Sequence, residues 1–510
     1  MPVHEKSCVV ALDAGTGGGR CLVVGLDGRI QASDYEEWRY RRVAGLGYAY
    51  EFDPEGVRDA LGRVTRRALE QAGVRPSQVA AISTTSFRDG VVFLDRGGRV
   101  LYPGTNRDMR AAGEAFELAQ NHGEMIYRIT GRWPMGLEAA SHLLWARLKR
   151  PDLFARIACV MMVNDWLTFW LSGIQVCEPT NASSSGLLDV AHRSWSAELL
   201  ELHRLPASIL PPLCEPGTVV GLLLPQAAEA LGLASKIPVA VGGGDTMMAA
   251  LGCSALEAGE VTVVAGTSMP IQLLAERPVL DSNLAPFTGA HPVPGLWTVE
   301  LVGGLAGIIY RWYRDTFAAE ETAEAHRLGV DTFDLINQSA EQANPGSATA
   351  LLGPDMPGNS RMSAAPRLAF LFPFGSIDGP GFNHASMARS ILENIAFAVR
   401  GNLDMLCAVT GYDPARIRLC GGLARSSLLA RIVAATCRRP VAVPMQVEAT
   451  GVGVAACAAT GAGAYPDLLT AARRMVSWQP LVEPDEKLAR TYVAVYKKWL
   501  AARQALSHGG

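Results

Sequence analysis

Ser7-Cys-Val-Val-Ala-Leu-Asp13-Ala-Gly-Thr-Gly-Gly-Gly-Arg20-Cys21-Leu-Val-Val-Gly-Leu26 decides how this chain is built. Ser7 to Asp13 reads as a buried strand and Ala14 to Arg20 as a tight turn. Cys21 to Leu26 reads as a second strand, closed by the hairpin signal Asp27-Gly28. Strand, glycine-threonine turn, strand is not the strand-turn-helix of a dinucleotide or P-loop site. Neither a GxGxxG in that context nor a GK[ST] occurs. A second stretch, Val261-Thr-Val-Val-Ala-Gly266-Thr267-Ser268, echoes Val9 to Thr16 but omits the three residues, Asp13 among them, that precede the first Gly-Thr. A repeat spaced by roughly 250 residues implies two halves of one architecture.

Length agrees with that division: 510 residues exceed what one core organises, and two large domains follow, 1–252 and 253–510. With 49% hydrophobic and 19% charged residues the chain is globular, with a large interior. A net charge of -3 gives no reason to expect nucleic acid or an anionic membrane as partner. The ten cysteines include no CxxC and no Cys/His cluster at metal-ligand spacing, as expected of reduced thiols in a cytoplasmic protein. Met-Pro-Val-His-Glu-Lys runs directly into the first strand, unlike a signal peptide. Ala449 to Ala464 carries four Gly and two Thr and reads as a buried helix rather than a membrane span.

Between the two Gly-Thr turns the chain alternates strands and helices. Asp53 can cap a helix that Pro54 opens and that runs to about Ala72. Tyr35 to Arg42 is a polar segment. Val79 to Ser83 and Gly90 to Asp95 are strands with Arg88 and Asp89 between them. Met109 to Trp170 alternates amphipathic helices with short breaks, Asn181 to Gly186 is a polar loop, and Pro206 to Pro216 is a connector. Helices are expected at Gly304 to Phe317, Phe333 to Gln342, Met387 to Val409 and Leu488 to Leu506, with Asn344 to Ala365 loop-rich.

Ile237-Pro-Val-Ala-Val-Gly-Gly-Gly-Asp245-Thr246 lies near the middle. An apolar strand ends in three glycines, which admit close backbone approach, and the first charge after them is Asp245. Asp245 either caps the helix Thr246 to Leu251 or meets a ligand. Two Gly-Thr turns offer backbone N–H groups and hydroxyls to an anion, and phosphate suits such concave nests best. Asp13, two residues before the first turn, would repel bare phosphate, so its presence calls for a divalent cation, Mg²⁺ being the usual one. A glycine turn at Gly421 lets a base or ribose approach backbone. Together these describe a nucleotide enzyme in which Asp245 accepts a proton from an attacking alcohol.

Over essentially its whole length the chain also resembles the FGGY-type carbohydrate kinases. Asp13-Ala-Gly15-Thr16 matches their first phosphate motif, Gly242-Gly-Gly-Asp245 the motif of the catalytic base, and Gly266-Thr267-Ser268 the second phosphate motif. Gly421-Gly422-Leu-Ala-Arg-Ser426 resembles the adenosine motif, and Arg389 to Phe397, with Glu393, the helix before it. The resemblance implies an α/β chain of two actin-like ATPase (ribonuclease H-like) domains with an interdomain cleft. It implies ATP and Mg²⁺, with Asp245 as base and Asp13 and Asp245 near the metal. Gly15, Thr16, Gly266, Thr267, Gly421 and Gly422 would bind the nucleotide. Gly17 departs from the Ser or Thr of many members, and Cys420 interrupts the usual three glycines.

Ser86-Phe-Arg88-Asp89-Gly90 is unlike the sugar loop of xylulose kinases and similar to the Arg-Glu pair of glycerol kinases. With Glu37-Trp38-Arg39 and Tyr50-Glu-Phe-Asp53, it most resembles the autoinducer-2 kinase branch. That implies a small sugar-like substrate, 4,5-dihydroxy-2,3-pentanedione, phosphorylated at its terminal hydroxyl. The alternatives are a pentulose or polyol kinase, or an actin-like assembly protein that binds nucleotide without a sugar. Arg88 and Asp89 either bind vicinal hydroxyls or form a solvated surface pair, and Asp108 either binds substrate or caps a helix. Trp133, Trp145 and Trp166 are core residues, His142 and His291 structural, and Glu393 the centre of an internal hydrogen bond. No membrane or nucleic-acid partner is expected, and a homodimer is compatible with this reading.

Overall fold

The computed structural model describes residues 7–281, 283, 286–356, 368–373 and 383–508. The opening Met-Pro-Val-His-Glu-Lys and the end of the loop-rich stretch to Ala365 lie outside the described residues. The chain forms two compact units. One comprises 1–258, 274–299 and 448–477; the other comprises 259–273, 300–447 and 478–510. The first crossing, at 258–259, follows the boundary expected at 252–253 by six residues, and two later segments return to the first unit.

The first unit is built on β1 (Cys8–Gly15), β2 (Gly18–Gly25), β3 (Ile30–Glu37), β4 (Val79–Ser86), β5 (Val91–Leu94), β6 (Val100–Pro103), β7 (Cys159–Met162), β8 (Val219–Leu222) and β9 (Pro238–Gly244). Its main sheet has the order β8-β9-β4-β1-β2-β3, and β5 to β7 form a small sheet of their own. The β1–β2 hairpin turns at Thr16-Gly17 alone, shorter than the expected Ala14 to Arg20. Gly18 and Gly19 are strand residues: a Cβ on Gly18 would stand 2.6 Å from the Tyr35 ring, and one on Gly19 2.7 Å from that of Trp38. These glycines answer packing beneath aromatic rings rather than ligand approach. At β3 the sequence predicts only a polar segment, from Tyr35. It is an edge strand with no fully buried residue, so it carries little apolar signal.

Helices of this unit include α1 (Pro54–Ala72), α2 (Ala112–Thr130), α3 (Ala139–Lys149), α4 (Val163–Ser172), α5 (Pro179–Ala182) and α6 (Asp245–Gly252). Asp53 caps α1, its side chain accepting from Glu55 N at 3.2 Å, and Gly73 (φ 64°) ends it in the left-handed conformation. Such a cap contributes about 1 kcal/mol. Leu61, Val64 and Ala68 of α1 meet Leu12, Val23 and Trp166 in the main core. On the opposite face of the sheet, Val9, Ala11, Leu22 and Val24 pack with Met248, Leu251 and the small residues of the Ala449–Gly461 helix. That helix is all but free of side-chain bulk, so it sits close: a Cβ on Gly453 would lie 2.0 Å from Met248 O. One local expectation is corrected: the apolar run at Cys159 is a strand, β7, between helices. The polar loop expected at Asn181 to Gly186 begins within α5, continues as a turn over 183–186, and is buried throughout.

A second six-stranded sheet contains β10 (Val261–Val264), β11 (Pro270–Ala275), β12 (Phe287–Ala290), β13 (Trp297–Val302), β14 (Ile417–Cys420) and β15 (Val441–Ala442), in the order β12-β13-β11-β10-β14-β15. In the first sheet β1 pairs antiparallel with β2 and parallel with β4; in the second β10 pairs antiparallel with β11 and parallel with β14. The repeated Val-Val-Ala and Gly-Thr segments thus occupy the same place in two copies of one topology. In the second unit α7 (Ala306–Phe317), α8 (His384–Thr410) and α9 (Ser427–Cys437) pack around this framework. Glu393 of α8 accepts from Arg389 Nε and from Tyr492 Oη, each at 2.9 Å, and from Gly346 N, which makes it an internal anchor. All ten cysteines are free and none is exposed. No helix among the described residues is long and apolar enough to cross a membrane.

Candidate active site

Three parallel neighbours, β1, β4 and β9, bring the polar residues of the first unit to one sheet edge. Ala14 and Gly244 both stand in register with Ser86, and Asp13 pairs with Thr85. The carboxyl ends of parallel strands are where open α/β sheets bind ligands, because the chain leaves each strand there in a different direction. At this edge the strands lead into Thr16, into Arg88 and Asp89, and into Asp245.

Asp13 is directly opposite Arg20 in the β1–β2 hairpin, and Arg20 Nη1 is ion-paired with Glu448. The Asp13 Oδ1 atom is sealed from solvent and has no hydrogen-bond partner among the described residues. Burial pushes this carboxyl up to about 7; Arg20 pulls it down, while the charges of Asp245 and Glu448 push it up. Thr16 Oγ1 accepts from Asn106 Nδ2 at 2.8 Å, which fixes the hydroxyl in the turn. Neither Arg20, Glu448 nor Asn106 was singled out from sequence. Arg20 closes the glycine run and could have been; Glu448 is separated from it by 428 residues and could not.

Asp245 is the first residue of α6, and Gly244 occupies the cap position, so Asp245 does not cap its own helix. Its Oδ1 accepts from Thr246 N at 2.7 Å and Thr246 Oγ1 at 3.0 Å, which sets the carboxylate's direction. Two of the three preceding glycines are sterically required. A Cβ on Gly242 would lie 1.8 Å from Thr84 O, and one on Gly243 2.7 Å from Thr180 Oγ1. A Cβ on Gly244 would meet the Arg88 stem at 3.3 Å, so Arg88 reaches the Asp245 turn.

Asp89 is held at φ 65°, a conformation uncommon for a residue with a side chain, and its Oδ1 accepts from Arg132 Nη2 at 2.9 Å. Arg132 is buried and also faces Glu138 at 3.3 Å, and its guanidinium covers the Phe287 ring at 4.6 Å. Burial pushes the Glu138 carboxyl up to about 7, against the pull of Arg132 and with the push of Asp89. Asp89 is therefore one end of a buried ion-paired row rather than half of a solvated surface pair. Asp108 sits elsewhere, fully buried: Tyr102 Oη and Arg110 Nε each approach its Oδ2 at 2.7 Å, and Arg110 N donates to Oδ1 at 3.0 Å. His142 Nδ1 meets the same Tyr102 hydroxyl at 3.1 Å. Trp166 and Trp145 are core residues, and His291 is buried.

In the second unit, Gly266 lies between two glycine segments. Gly307 N donates to Gly266 O at 2.8 Å, and a Cβ on Gly307 would come within 2.6 Å of that oxygen. Gly421 has φ 88°, and a Cβ there would stand 2.8 Å from Ala265 O. Thr267 and Ser268 are exposed at the tip, and Gly422 has open space around its Cα. Gly307 was missed in the sequence because it lies inside a helix, where glycine carries no turn signal.

Models of the FGGY family of carbohydrate kinases match this chain with both domains, the N-terminal one over residues 8–252 and the C-terminal one over 261–462. An autoinducer-2 kinase of Escherichia coli (strain K12) is 34% identical over 507 residues, covering 98% of this chain and 95% of its own length. One from Salmonella typhimurium is 33% identical over 511 residues, covering 98% and 96%. Among solved structures, a xylulose kinase of Brucella ovis superposes with a TM-score of 0.81 at 26% identity, over 98% of this chain and 99% of the other. Plasmodium falciparum glycerol kinase with ADP shares the fold, with a TM-score of 0.82 at 17% identity over 97% and 98%. These enzymes have the actin-like ATPase fold, as the two mixed sheets do here. The ordered set of Asp13, Gly15-Thr16, Asp245, Gly266-Thr267 and Gly421 and the match of both domain models lead to one conclusion: the chain belongs to the FGGY family of carbohydrate kinases.

Proposed function

We propose that this carbohydrate kinase phosphorylates the terminal hydroxyl of 4,5-dihydroxy-2,3-pentanedione, the autoinducer-2 precursor, with ATP. The observation that carries the chemistry is the meeting of Asp13, Arg88-Asp89 and Asp245 at the ends of three register-aligned parallel strands. Near-full-length similarity to autoinducer-2 kinases, at 33–34% identity, supports the choice of substrate. Asp245 accepts the proton of the attacking hydroxyl while its oxygen bonds to the γ-phosphorus and the bond to the ADP oxygen breaks. Thr246 holds the carboxylate of Asp245 in one orientation for that transfer. Arg88 and Asp89 bind the substrate's oxygens, with Asp89 steadied by Arg132. Thr16, Thr267 and the backbone of Gly15, Gly266, Gly421 and Gly422 bind the nucleotide. In this reading Asp108 acts at a distance, by stiffening the segment that carries Asn106.

Among the described residues, no group of three or more His, Cys, Asp or Glu side chains is arranged to hold a metal ion. Magnesium with a nucleotide needs no such cage, since one or two carboxylates, phosphate oxygens and water complete its shell. The partnerless, buried Oδ1 of Asp13 fits that role, with Asp245 as the second carboxylate. Bound there with the nucleotide, magnesium would neutralise phosphate charge. The reading puts the reaction in the cytoplasm, where ATP is supplied. Incubation with ATP, Mg²⁺ and a panel of dihydroxypentanedione, ribulose, xylulose and glycerol tests the substrate. Preference for a pentulose would favour the second reading, a xylulose-type kinase, which the Brucella ovis structure supports. Asp245→Asn tests the base: turnover falls by roughly 10²–10⁴-fold with ATP binding retained, and near-normal turnover removes Asp245 from that role.

A further inference from the structure

The turn that presents Asp245 is held by groups distant in the sequence and unconnected with any nucleotide or sugar motif. Gly244 N, buried at the end of β9, donates to Thr180 Oγ1 at 2.9 Å. Thr85 Oγ1 donates to Gly243 O at 2.6 Å from the neighbouring strand, so the one peptide group joining Gly243 to Gly244 is tied at its C=O and at its N–H by threonine hydroxyls. Thr180 belongs to α5, a single buried turn that Glu178 caps. The two Glu178 carboxylate oxygens accept from Thr180 N and Asn181 N, each at 2.6 Å. Burial pushes the Glu178 carboxyl up to about 7, and against it the Thr180 side chain pulls the carboxyl down. A hydroxyl has one proton, and donating it to Glu178 leaves a lone pair for the Gly244 N–H. Asn181 completes the set: its amide reaches Ser86 Oγ at 3.4 Å, and its side chain, like the Arg88 stem, lies beside Gly244.

Glu178 and Thr180 are fully buried, and among the described residues the groups that donate to the Glu178 carboxylate include no cation. A buried carboxylate is costly to keep, and capping one four-residue helix does not account for it. We infer that Glu178 and Thr180 are positioning residues for phosphoryl transfer: Glu178 orients the Thr180 hydroxyl, which fixes Gly244 and thereby the direction of Asp245. The inference rests on Asp245 being the base. Displacing a reacting group by about 1 Å costs on the order of 10²-fold in rate without loss of binding. Gly243 fits the same account, since any side chain there would strike Thr180 Oγ1.

The test uses the full chain, ATP–Mg²⁺ and dihydroxypentanedione, or the best substrate of the panel. Thr180→Val keeps the shape and removes the hydroxyl; Thr180→Ser keeps the hydroxyl; Thr65→Val removes an equally buried hydroxyl, bonded to Leu61 O in α1, as control. The expected result is kcat lowered roughly 10- to 100-fold in Thr180→Val, with both KM values within about two-fold, near-normal kcat in Thr180→Ser and no change in Thr65→Val. Unchanged kcat in Thr180→Val, an equal fall in Thr180→Ser, or a rise in KM alone would each overturn the inference. Should Thr180→Val fail to fold, Glu178→Gln carries the same test, because its amide nitrogen cannot accept either backbone N–H. Asp245→Asn separates the two claims. If it stays active, the base assignment fails; if it is inactive while Thr180→Val is normal, only the positioning role fails.

Discussion

The two Gly-Thr turns occupy the same point in two copies of one sheet topology, yet only the first carries a carboxylate. In the first, β1 continues through Asp13 to Gly15, and the hairpin closes over Thr16-Gly17, with Thr16 fixed by Asn106. In the second, β10 ends at Val264 and a looser turn exposes Thr267 and Ser268, with Gly266 held only by backbone. The difference teaches a division of labour: charge handling at the first turn, backbone and hydroxyl donors at the second. In the proposed reading the repeated strand-turn-strand unit supplies a phosphate nest twice, and the carboxylate assigned to the metal lies among the three residues that the second copy lacks.

Substitutions at the two turns should therefore differ in kind. Asp13→Asn is expected to lower kcat about 10²-fold or more and to weaken the response to Mg²⁺, seen in initial rates over a magnesium titration. If the magnesium response survives unaltered, the first turn has no special charge role. Gly307→Ala should act on the second turn by pushing a methyl group against Gly266 O. About 1–3 kcal/mol of strain should appear as a raised KM for ATP, with the KM for sugar unchanged. A loss of kcat at constant KM would place chemistry at the second turn.

Acid–base behaviour sharpens the contrast in the absence of ligands. Burial raises the Asp13 carboxyl from 3.8 to about 7, so the folded state keeps a proton that the unfolded chain releases between those values. Stability from this group thus declines as pH rises through that window and levels off above about 7. Asp13→Asn lacks the decline, and its melting temperature should gain on the parent from pH 5 to pH 7.5, by a few degrees. No gain would mean that Asp13 is solvated like an ordinary aspartate. The smallest effect is expected for Gly17→Ser. A Cβ there would rest 3.4 Å from Tyr35 Oη, an ordinary contact, so stability should change by no more than about 0.5 kcal/mol. The added hydroxyl should lower the KM for ATP modestly, and a raised KM would show that the first turn has no room for a further donor.

Much of this fold is legible in the sequence. The runs Val9 to Leu12 and Val261 to Val264 are free of charged and turn residues and rich in valine because both faces of their sheets are covered. The cap at Asp53 and Pro54 likewise reads directly, since helix starts depend on neighbouring residues alone. What escaped reading had little apolar contrast. The β3 strand alternates half-buried with exposed residues at a sheet edge, and α5 is polar in composition yet buried among its own hydrogen bonds.

The candidate site divides in the same way. Sequence alone determined the candidate positions Asp13, Thr16, Arg88, Asp89, Asp245, Gly266 and Gly421, because each lies near the end of a strand, just after one or in a glycine turn, where the backbone demands are local. Tertiary structure alone decided which groups control them: Glu448 on Arg20, Arg132 on Asp89, Asn106 on Thr16, and Glu178 through Thr180 on the Asp245 turn. Those partners come from segments 43 to 428 residues away. Electrostatics and hydrogen bonding act over a few ångströms, and only the packing of strands and helices establishes which ångströms those are.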